Sequence, residues 1–230
     1  MPTSRLCRFQ ATLVGMGLAT AAHAARPLNT DDTGVLEQGR CEAEAVLSQD
    51  KSEGTTVRGQ GLQLGCGVGA RTQLAWGVQQ AREDGLRVRG LAASGKLAVV
   101  PGDDASWSLG GAVLWASAEG QSHRHAATTL TLLHTRTLSE RFVLHANLGH
   151  ARDAPARRGA TTWGLAIEHA GWGPWALMAE LTGDDLAAPS WNAGLRWTAV
   201  PDRWVLDIAY GQQMVGDRPK SFSMGLKLAF

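Results

Sequence analysis

The sequence has few cysteines, little excess of charge and no long apolar run. Its 230 residues include 3 cysteines and give a net charge of +1, which argues against a disulfide-stapled miniprotein and against nucleic acid as a partner. No stretch reaches the roughly 20 apolar residues that a transmembrane helix needs, so helical membrane proteins are excluded. A hydrophobic content of 44% argues against intrinsic disorder. What remains is one ordered domain of fair size.

The N-terminus has the features of an export signal. Two arginines precede an uncharged run over residues 11–22, and Ala-His-Ala at positions 22–24 offers the small residues that signal peptidase requires. We predict that residues 1–24 are removed as a signal peptide. Cys41 and Cys66 then belong to an exported mature chain, in a compartment that permits a disulfide.

From residue 39 onward the apolar residues recur at every second position, which is the periodicity of β-strands. Glycine, proline, aspartate and asparagine separate these segments, and helical periodicity is nowhere sustained. We predict twelve strands, at residues 39–48, 57–67, 72–81, 87–99, 106–118, 126–137, 141–151, 160–169, 174–183, 190–199, 203–213 and 220–230.

The alternation within these segments favours an all-β fold, a closed antiparallel transmembrane β-barrel of about 12 strands with periplasmic N- and C-termini. The last segment places apolar side chains on one face and small or polar ones on the other. Trp accounts for 9 aromatic residues, and most of these lie near strand ends, as in interfacial girdles. Short turns such as 68–71 are expected to alternate with longer loops such as 50–56. The alternative is a soluble β-sandwich, which shows the same alternation around a core.

The C-terminal strand ends in a pattern of polar-x-Gly-x-x-apolar-x-aromatic residues, formed by Ser223, Gly225, Leu228 and Phe230. This ending resembles the insertion signal of bacterial outer-membrane barrels. The resemblance implies that the barrel-assembly machinery binds this strand, and that the protein is located in the cell outer membrane.

The predicted start of the mature chain contains Arg26, Pro27, Asp31 and Asp32 in a motif that ends at Gly34. The motif resembles the opening of the outer-membrane family named for the meta-pathway of phenol degradation. The resemblance implies uptake of small aromatic or hydrophobic solutes.

Residues 25–38 are predicted to form a periplasmic N-terminal leader that precedes the barrel at 39–230. Residues 29–34 have turn-forming composition. Their carboxylates either cap the periplasmic mouth, fold into it, or remain solvated.

Strand parity assigns charges of both signs to the lumen of the predicted barrel. Either they pair into a plug of salt bridges that fills the barrel, or they line a polar path that selects solutes by charge. A barrel of twelve strands has room for more than its own side chains, which favours a narrow and partly occupied lumen. The predicted lumen charges are Glu42, Glu44, Lys96, His145, Glu168, Glu180, Arg196, Asp207 and Lys227.

We therefore expect a passive channel or transporter for small solutes in contact with outer-membrane lipid, monomeric and without catalytic residues, metal or cofactor. The alternatives are a structural or adhesion barrel without transport and an outer-membrane hydrolase. For a hydrolase, serine, histidine and acidic residues must come together near one rim. The candidates match no motif of such enzymes: Ser122, His123, His125, Asp184 and Asp185.

The two cysteines of the mature chain are predicted to form a disulfide between the first two strands. If the first hairpin turns about Glu53 and Gly54, Cys41 and Cys66 are opposite each other in the antiparallel register. Both also have outward parity. The alternative is two free thiols at apolar positions.

Overall fold

The computed structural model describes residues 28–216 and 218–230, and these form twelve β-strands. The predicted signal peptide, Arg26 and Pro27 lie outside the described residues. In the described part, no helix has the length and apolar character needed to cross a bilayer. The strands are β1 (Cys41–Ser52), β2 (Thr55–Gly69), β3 (Thr72–Glu83), β4 (Leu86–Val100), β5 (Ala105–Ala118), β6 (Arg124–Thr137), β7 (Phe142–Asp153), β8 (Arg158–Trp172), β9 (Trp175–Asp184), β10 (Ser190–Val200), β11 (Trp204–Gln213) and β12 (Lys220–Ala229).

The strands close into a barrel. Each strand pairs antiparallel with its neighbours in the chain, and β1 also pairs with β12, from Glu42 opposite Ala229 to Lys51 opposite Lys220. Closure leaves no strand with an unpaired edge, which is the condition for a sheet in a bilayer. The predicted all-β barrel of twelve strands is confirmed, and the β-sandwich is excluded.

The two faces of the barrel differ in exposure, residue by residue. Leu62 is 56% exposed and the adjacent Gln63 is 8% exposed; Leu132 is 39% exposed and the adjacent Leu133 is 1% exposed. The exposed positions of most strands are leucine, valine, isoleucine or aromatic residues. Such a continuous apolar outer surface is suited to lipid and not to water.

The barrel has two ends, which we call the terminus end, at Cys41 and Ala229, and the far end, at the turn between β1 and β2. Aromatic rings cluster outside the terminus end. The rings of Trp175 and Trp197 stack with centroids 5.6 Å apart, and Phe142 lies 4.7 Å from the ring of His169. An interfacial girdle has this composition.

The longer loop expected at residues 50–56 is wrong for the first hairpin at the far end. β1 continues to Ser52 and β2 begins at Thr55, so residues 50–56 form a tight turn and not a long loop. The turn between β3 and β4 is equally short, with φ of 46° at Asp84 and 82° at Gly85. An Asp-Gly pair with two positive φ angles is a tight hairpin turn, and the dipeptide is a recognised sequence signal for it.

The disulfide between Cys41 and Cys66 is present. The two cysteines are opposite each other in the pairing of β1 with β2. Ser52 is opposite Thr55 at the other end of this pairing, which is the register that a turn at Glu53 and Gly54 predicts. The predicted disulfide is therefore confirmed. It joins the start of the barrel wall to the second strand at the terminus end.

Candidate functional site

The N-terminal segment, residues 28–40, lies inside the barrel. Leu28 and Thr30 are 2% and 1% exposed, and Leu28 packs against Ala166 of β8 and Met178 of β9. The segment enters at the terminus end, where Gln38 pairs with Gly67 of β2. Of the three arrangements expected for residues 29–34, these contacts are those of a segment folded into the barrel.

Glu180 of β9 holds the beginning of this segment. Its carboxylate accepts hydrogen bonds from the Asn29 backbone nitrogen and side-chain amide, both at 2.8 Å, and from the Thr30 nitrogen at 2.7 Å. Asn192 of β10 donates a further hydrogen bond at 3.0 Å. Glu180 is 3% exposed, and hydrogen bonds to a buried carboxylate are stronger than those between neutral groups. Glu180 is thus one anchor of the segment.

Lys96 of β4 is the second anchor, on another part of the barrel wall. Its Nζ donates to Asp31 Oδ1 and to the Asp32 backbone oxygen, each at 2.9 Å, and lies 3.5 Å from Asp32 Oδ1. Asn147 of β7 binds the backbone of Asp31 when its side-chain amide is oriented to match donors with acceptors. Its oxygen then accepts from the Asp31 nitrogen at 2.6 Å, and its nitrogen donates to the Asp31 oxygen at 2.9 Å. Asp31 and Asp32 therefore share the single positive charge of Lys96 inside the lumen.

Hydroxyl groups of β5 and β6 bind the middle of the segment. The Thr33 nitrogen donates to Thr135 Oγ1 at 3.1 Å, and Ser108 Oγ donates to the Thr33 oxygen at 2.7 Å. Thr135 Oγ1 is also 3.0 Å from Nδ1 of the predicted lumen residue His145. Backbone groups of an irregular segment must be paired when they are removed from water, and these hydroxyls pair them.

Close to the terminus end the segment runs along β2 and β3. The Leu36 nitrogen donates to Gln73 Oε1 at 2.7 Å, and the Gly39 nitrogen donates to the Gly67 oxygen at 2.9 Å. A Cβ at Gly67 would overlap the backbone oxygen of Glu37. In the series Gly65-x-Gly67-x-Gly69 at the end of β2, the middle position is thus one where only glycine leaves room for the segment.

Gly164 of β8 makes room for the segment in the same way. A Cβ at this position would lie 2.6 Å from Thr30 Oγ1, closer than real Cβ contacts. The approach is possible because glycine has no side chain. The wall of the barrel is therefore shaped to the segment at Gly67 and at Gly164, which are on different strands.

A second group of predicted lumen charges lies on β8, β10 and β11. Arg196 Nη1 is 3.1 Å from both carboxylate oxygens of Glu168, and Arg196 is opposite Asp207 in the register of β10 and β11. Asp207 is buried. These side chains meet across strands, which is the arrangement that a lumen lined by charges of both signs requires.

A third group lies where β12 closes onto β1. Lys227 Nζ is 3.6 Å from Glu42 Oε2, and Lys227 is opposite Glu44 in the register. Glu44 is 6% exposed. The lumen at the terminus end therefore contains both ion pairs between strands and a chain segment held by further charges.

Asp31 and Asp32 lie outside the strands and share the ammonium group of Lys96. Burial raises the pKa of the Asp31 carboxyl well above its usual range, against the opposing effect of Lys96. Burial also acts to raise the pKa of Asp32, but Lys96 and nearby cationic groups outweigh it and the pKa is lowered.

Three of the residues considered for a hydrolase have structural contacts at or near the strand ends of the far end. Asp184 accepts hydrogen bonds from the Leu186 and Ala187 nitrogens, and Asp185 accepts one from Thr161. His125 Nε2 is 2.8 Å from Thr128 Oγ1. Within residues 28–216 and 218–230, no three His, Cys, Asp or Glu side chains form a group suited to a metal ion.

Sequence reasoning missed the hydroxyl and amide groups that bind the segment. They include Gln73, Ser108, Thr135 and Asn147, each of which has inward parity in its strand. Parity alone marks many small polar residues in this way, so the only sequence signal was their position. The charged anchors Lys96 and Glu180 were among the predicted lumen residues.

A family model described as "Uncharacterised conserved protein UCP029691" matches residues 11–230. The chain belongs to this family. The match covers all twelve strands and the N-terminal segment. No curated protein matches the sequence.

Solved structures with this fold include outer-membrane channels. The KdgM porin in complex with disordered oligogalacturonate is 11% identical, with a TM-score of 0.61 over 82% of this chain and 99% of that one. The COG4313 outer membrane channel from Pseudomonas putida F1 is 10% identical, with a TM-score of 0.61 over 86% and 98%. The Ralstonia pickettii toluene transporter TbuX is 9% identical, with a TM-score of 0.54 over 90% and 92%. At these identities the likeness is one of fold.

Proposed function

We propose that this protein is a passive outer-membrane channel for small solutes, in which the N-terminal segment limits passage. The observation that carries the proposal is a polar, charged lumen occupied at the terminus end by a segment that hydrogen bonds and ion pairs hold in place. Such contacts can exchange for water, so the segment can be displaced while the barrel stays closed. The segment is then a constriction and not a permanent seal.

Three observations support the outer membrane as the location. The neighbours in fold include proteins titled outer membrane channel and porin. The predicted export signal and the disulfide agree with a protein that folds outside the cytoplasm. The apolar outer surface supplies the contact with lipid. By this proposal the terminus end faces the periplasm, and the barrel is a monomer.

The proposed solutes are small and include aromatic compounds. The N-terminal motif resembles that of the phenol meta-pathway family, and two structural neighbours are titled toluene transporter and monoaromatic hydrocarbon channel. Within the barrel, Leu114 packs with Ala126 and Ala127, and Ala92 and Ala116 lie against them. This apolar patch on the inner wall supports a solute with an apolar part.

A barrel without transport is the second candidate, because the same contacts would also suit a permanent plug. The four hydrogen bonds from Asn29 and Thr30 to Glu180, and the two from Lys96 to Asp31 and Asp32, would stabilise the segment equally well if it never left the barrel. The two candidates differ in one measurable property, which is the passage of solutes.

The experiment is single-channel conductance of the purified full chain in planar bilayers, combined with the flux of small aromatic and sugar solutes into liposomes. Brief conducting events and solute flux above that of protein-free liposomes are expected. A folded, inserted protein that gives neither conductance nor flux, also after the segment is loosened, would contradict the channel and favour the structural barrel.

We further propose that the C-terminal strand directs assembly through Phe230. Phe230 is 58% exposed, and its backbone exchanges hydrogen bonds with Cys41 where the barrel closes. Deletion of Phe230 removes an interfacial aromatic ring and these bonds, so outer-membrane yield should fall severalfold with export across the inner membrane unchanged. Heat-modifiable migration measures the yield of folded protein, and membrane fractionation measures its export and its insertion into the outer membrane. Unchanged yield of the heat-modifiable form would count against the proposal.

A further inference from the structure

A row of arginines lies on the outside of the barrel at the far end. Arg58 of β2 is opposite Arg82 of β3, and Arg82 is opposite Arg87 of β4. Arg89 of β4 is in the next outward row, opposite Gln80. All four have the outward parity of their strands. Because neighbouring strands are about 4.8 Å apart, the backbones of the first three fall within roughly 10 Å.

The rows below the arginines lead directly into the apolar belt. The next outward row has Gln60 opposite Gln80, and the row after it has Leu62 opposite Val78 and Val78 opposite Leu91. Leu62 and Val78 are more than half exposed, as lipid-facing residues are. The arginines therefore stand at the height of the lipid headgroups that border this belt.

The positive charges of the row are poorly compensated by the protein. In the described part of the chain, only Arg87 has a carboxylate within ion-pair distance, Glu119 at 3.9 Å. Glu83 and Asp84 border the same region at the turn, but Glu83 has inward parity. Like charges directly opposite each other on adjacent strands destabilise a sheet. Arg58 and Arg82 are such a pair, and an anion between them would reverse the effect.

An open groove of about 480 Å³ lies at the β2 and β3 part of this row, where Arg58, Gln60, Gln80 and Arg82 line it, with Glu83 and Asp84 at its turn end. Guanidinium groups bind phosphate with two parallel hydrogen bonds, and glutamine amides add neutral donors. We infer that this groove binds the phosphate groups of an anionic lipid in the adjoining leaflet, while its acyl chains lie on the apolar belt. The inference rests on the proposal that the barrel spans a membrane, and it is independent of solute passage.

The test compares lipid binding by the full chain in neutral detergent, with bisphosphorylated lipid A and phosphatidylcholine as the probes. The row variant is Arg58→Gln with Arg82→Gln and Arg89→Gln, which removes the two arginines that line the groove and the arginine of the next outward row. The matched control is Arg124→Gln with Arg152→Gln and Arg157→Gln, which removes three exposed charges at the same end but outside the row. Native mass spectrometry and lipid-dependent thermal stabilisation measure the affinity.

The wild-type chain and the control should bind lipid A alike, and the row variant should bind it at least about tenfold more weakly. Phosphatidylcholine should not distinguish the three proteins. Equal affinity of a correctly folded row variant, or an equal loss in the control, would overturn the inference. Inorganic phosphate that binds as tightly as lipid A would overturn the lipid as the source of the anion. If the triple variant does not fold, Arg82→Gln alone should still weaken lipid A binding measurably. Unchanged binding of lipid A by this single variant would also overturn the inference.

Conductance separates this inference from the proposed function. Loss of lipid A binding in the row variant, with normal channel currents, would support the lipid-binding groove and would not bear on the proposed channel. Normal lipid binding without any conductance contradicts the channel alone.

Discussion

Replacement of Lys96 by methionine together with Glu180 by glutamine is expected to raise the time-averaged current through the barrel at least about tenfold. Lys96→Met leaves Asp31 and Asp32 in the lumen without their cation. Glu180→Gln replaces a carboxylate that accepts bonds from Asn29 and Thr30 by a neutral amide. Removal of one partner of a buried ion pair costs about 3–5 kcal/mol, and this cost falls on the state in which the segment is bound.

The measurement is single-channel recording, with solute flux into liposomes as the second readout. Lys227→Met with Glu42→Gln is the matched control, because it makes the same chemical changes at another lumen pair. In the described part of the chain, neither control residue has a hydrogen bond or ion pair with residues 28–36, and Lys227 acts on Asp32 only as a more distant charge. A control that increases the current as much as the test variant would show that lumen charge, and not release of the segment, sets the current.

A third variant tests release without any change of charge. Gly164→Ala adds a methyl group whose carbon would lie 2.6 Å from Thr30 Oγ1, which is too close for both to keep their positions. The segment then loses its fit to β8 while Lys96 and Glu180 remain, so the current should rise in the same direction. Wild-type currents in both Gly164→Ala and the charge variant would contradict the N-terminal segment as the constriction.

Reversal of two lumen cations is expected to change the ratio of cation to anion permeability by about tenfold in favour of cations. The variant is Lys227→Glu with Arg196→Glu. Each change adds a carboxylate beside an existing one, at Glu42 and at Glu168 respectively, so both groups become strongly negative. Charges on the lumen face can be reversed without loss of the barrel because they do not contact lipid.

Reversal potentials in a salt gradient measure the ratio. The control exchanges the members of one pair, Glu168→Arg with Arg196→Glu, which keeps the net charge and the possibility of an ion pair. It should retain the wild-type ratio. If the reversed variant does not insert, Lys227→Gln with Arg196→Gln should give a smaller change in the same direction. Conductance with an unaltered ratio in both would contradict electrostatic selection by these residues.

The sequence was a good guide wherever a local pattern decides the structure. Alternation of Leu62 with Gln63 and of the following residues located β2 to within two residues at each end. The turn at Glu53 and Gly54 then set the register that brings Cys41 opposite Cys66. It was a poorer guide to the length of the far-end loops, because polar residues such as Asp50 continue the strand when a partner strand supplies their hydrogen bonds.

The candidate site was predicted in part. Lys96 and Glu180 were assigned to the lumen from parity, and the carboxylates of residues 29–34 were expected either to cap the mouth, to fold into it or to remain solvated. The sequence did not indicate that Lys96 pairs with Asp31, or that Glu180 binds uncharged groups of Asn29 and Thr30. Glu180 and Asn29 are 151 positions apart, and no local pattern relates them.

By itself the sequence determined the number of strands, the face on which each side chain lies and the position of the disulfide. These follow from a period of two residues and from turn chemistry, which act over a few positions along the chain. Only the tertiary structure decided which charges meet across the lumen, where residues 28–40 lie, and that arginines from three strands form one row outside. Those features depend on the stagger of twelve strands around a closed barrel, and that stagger brings together residues that the chain keeps far apart.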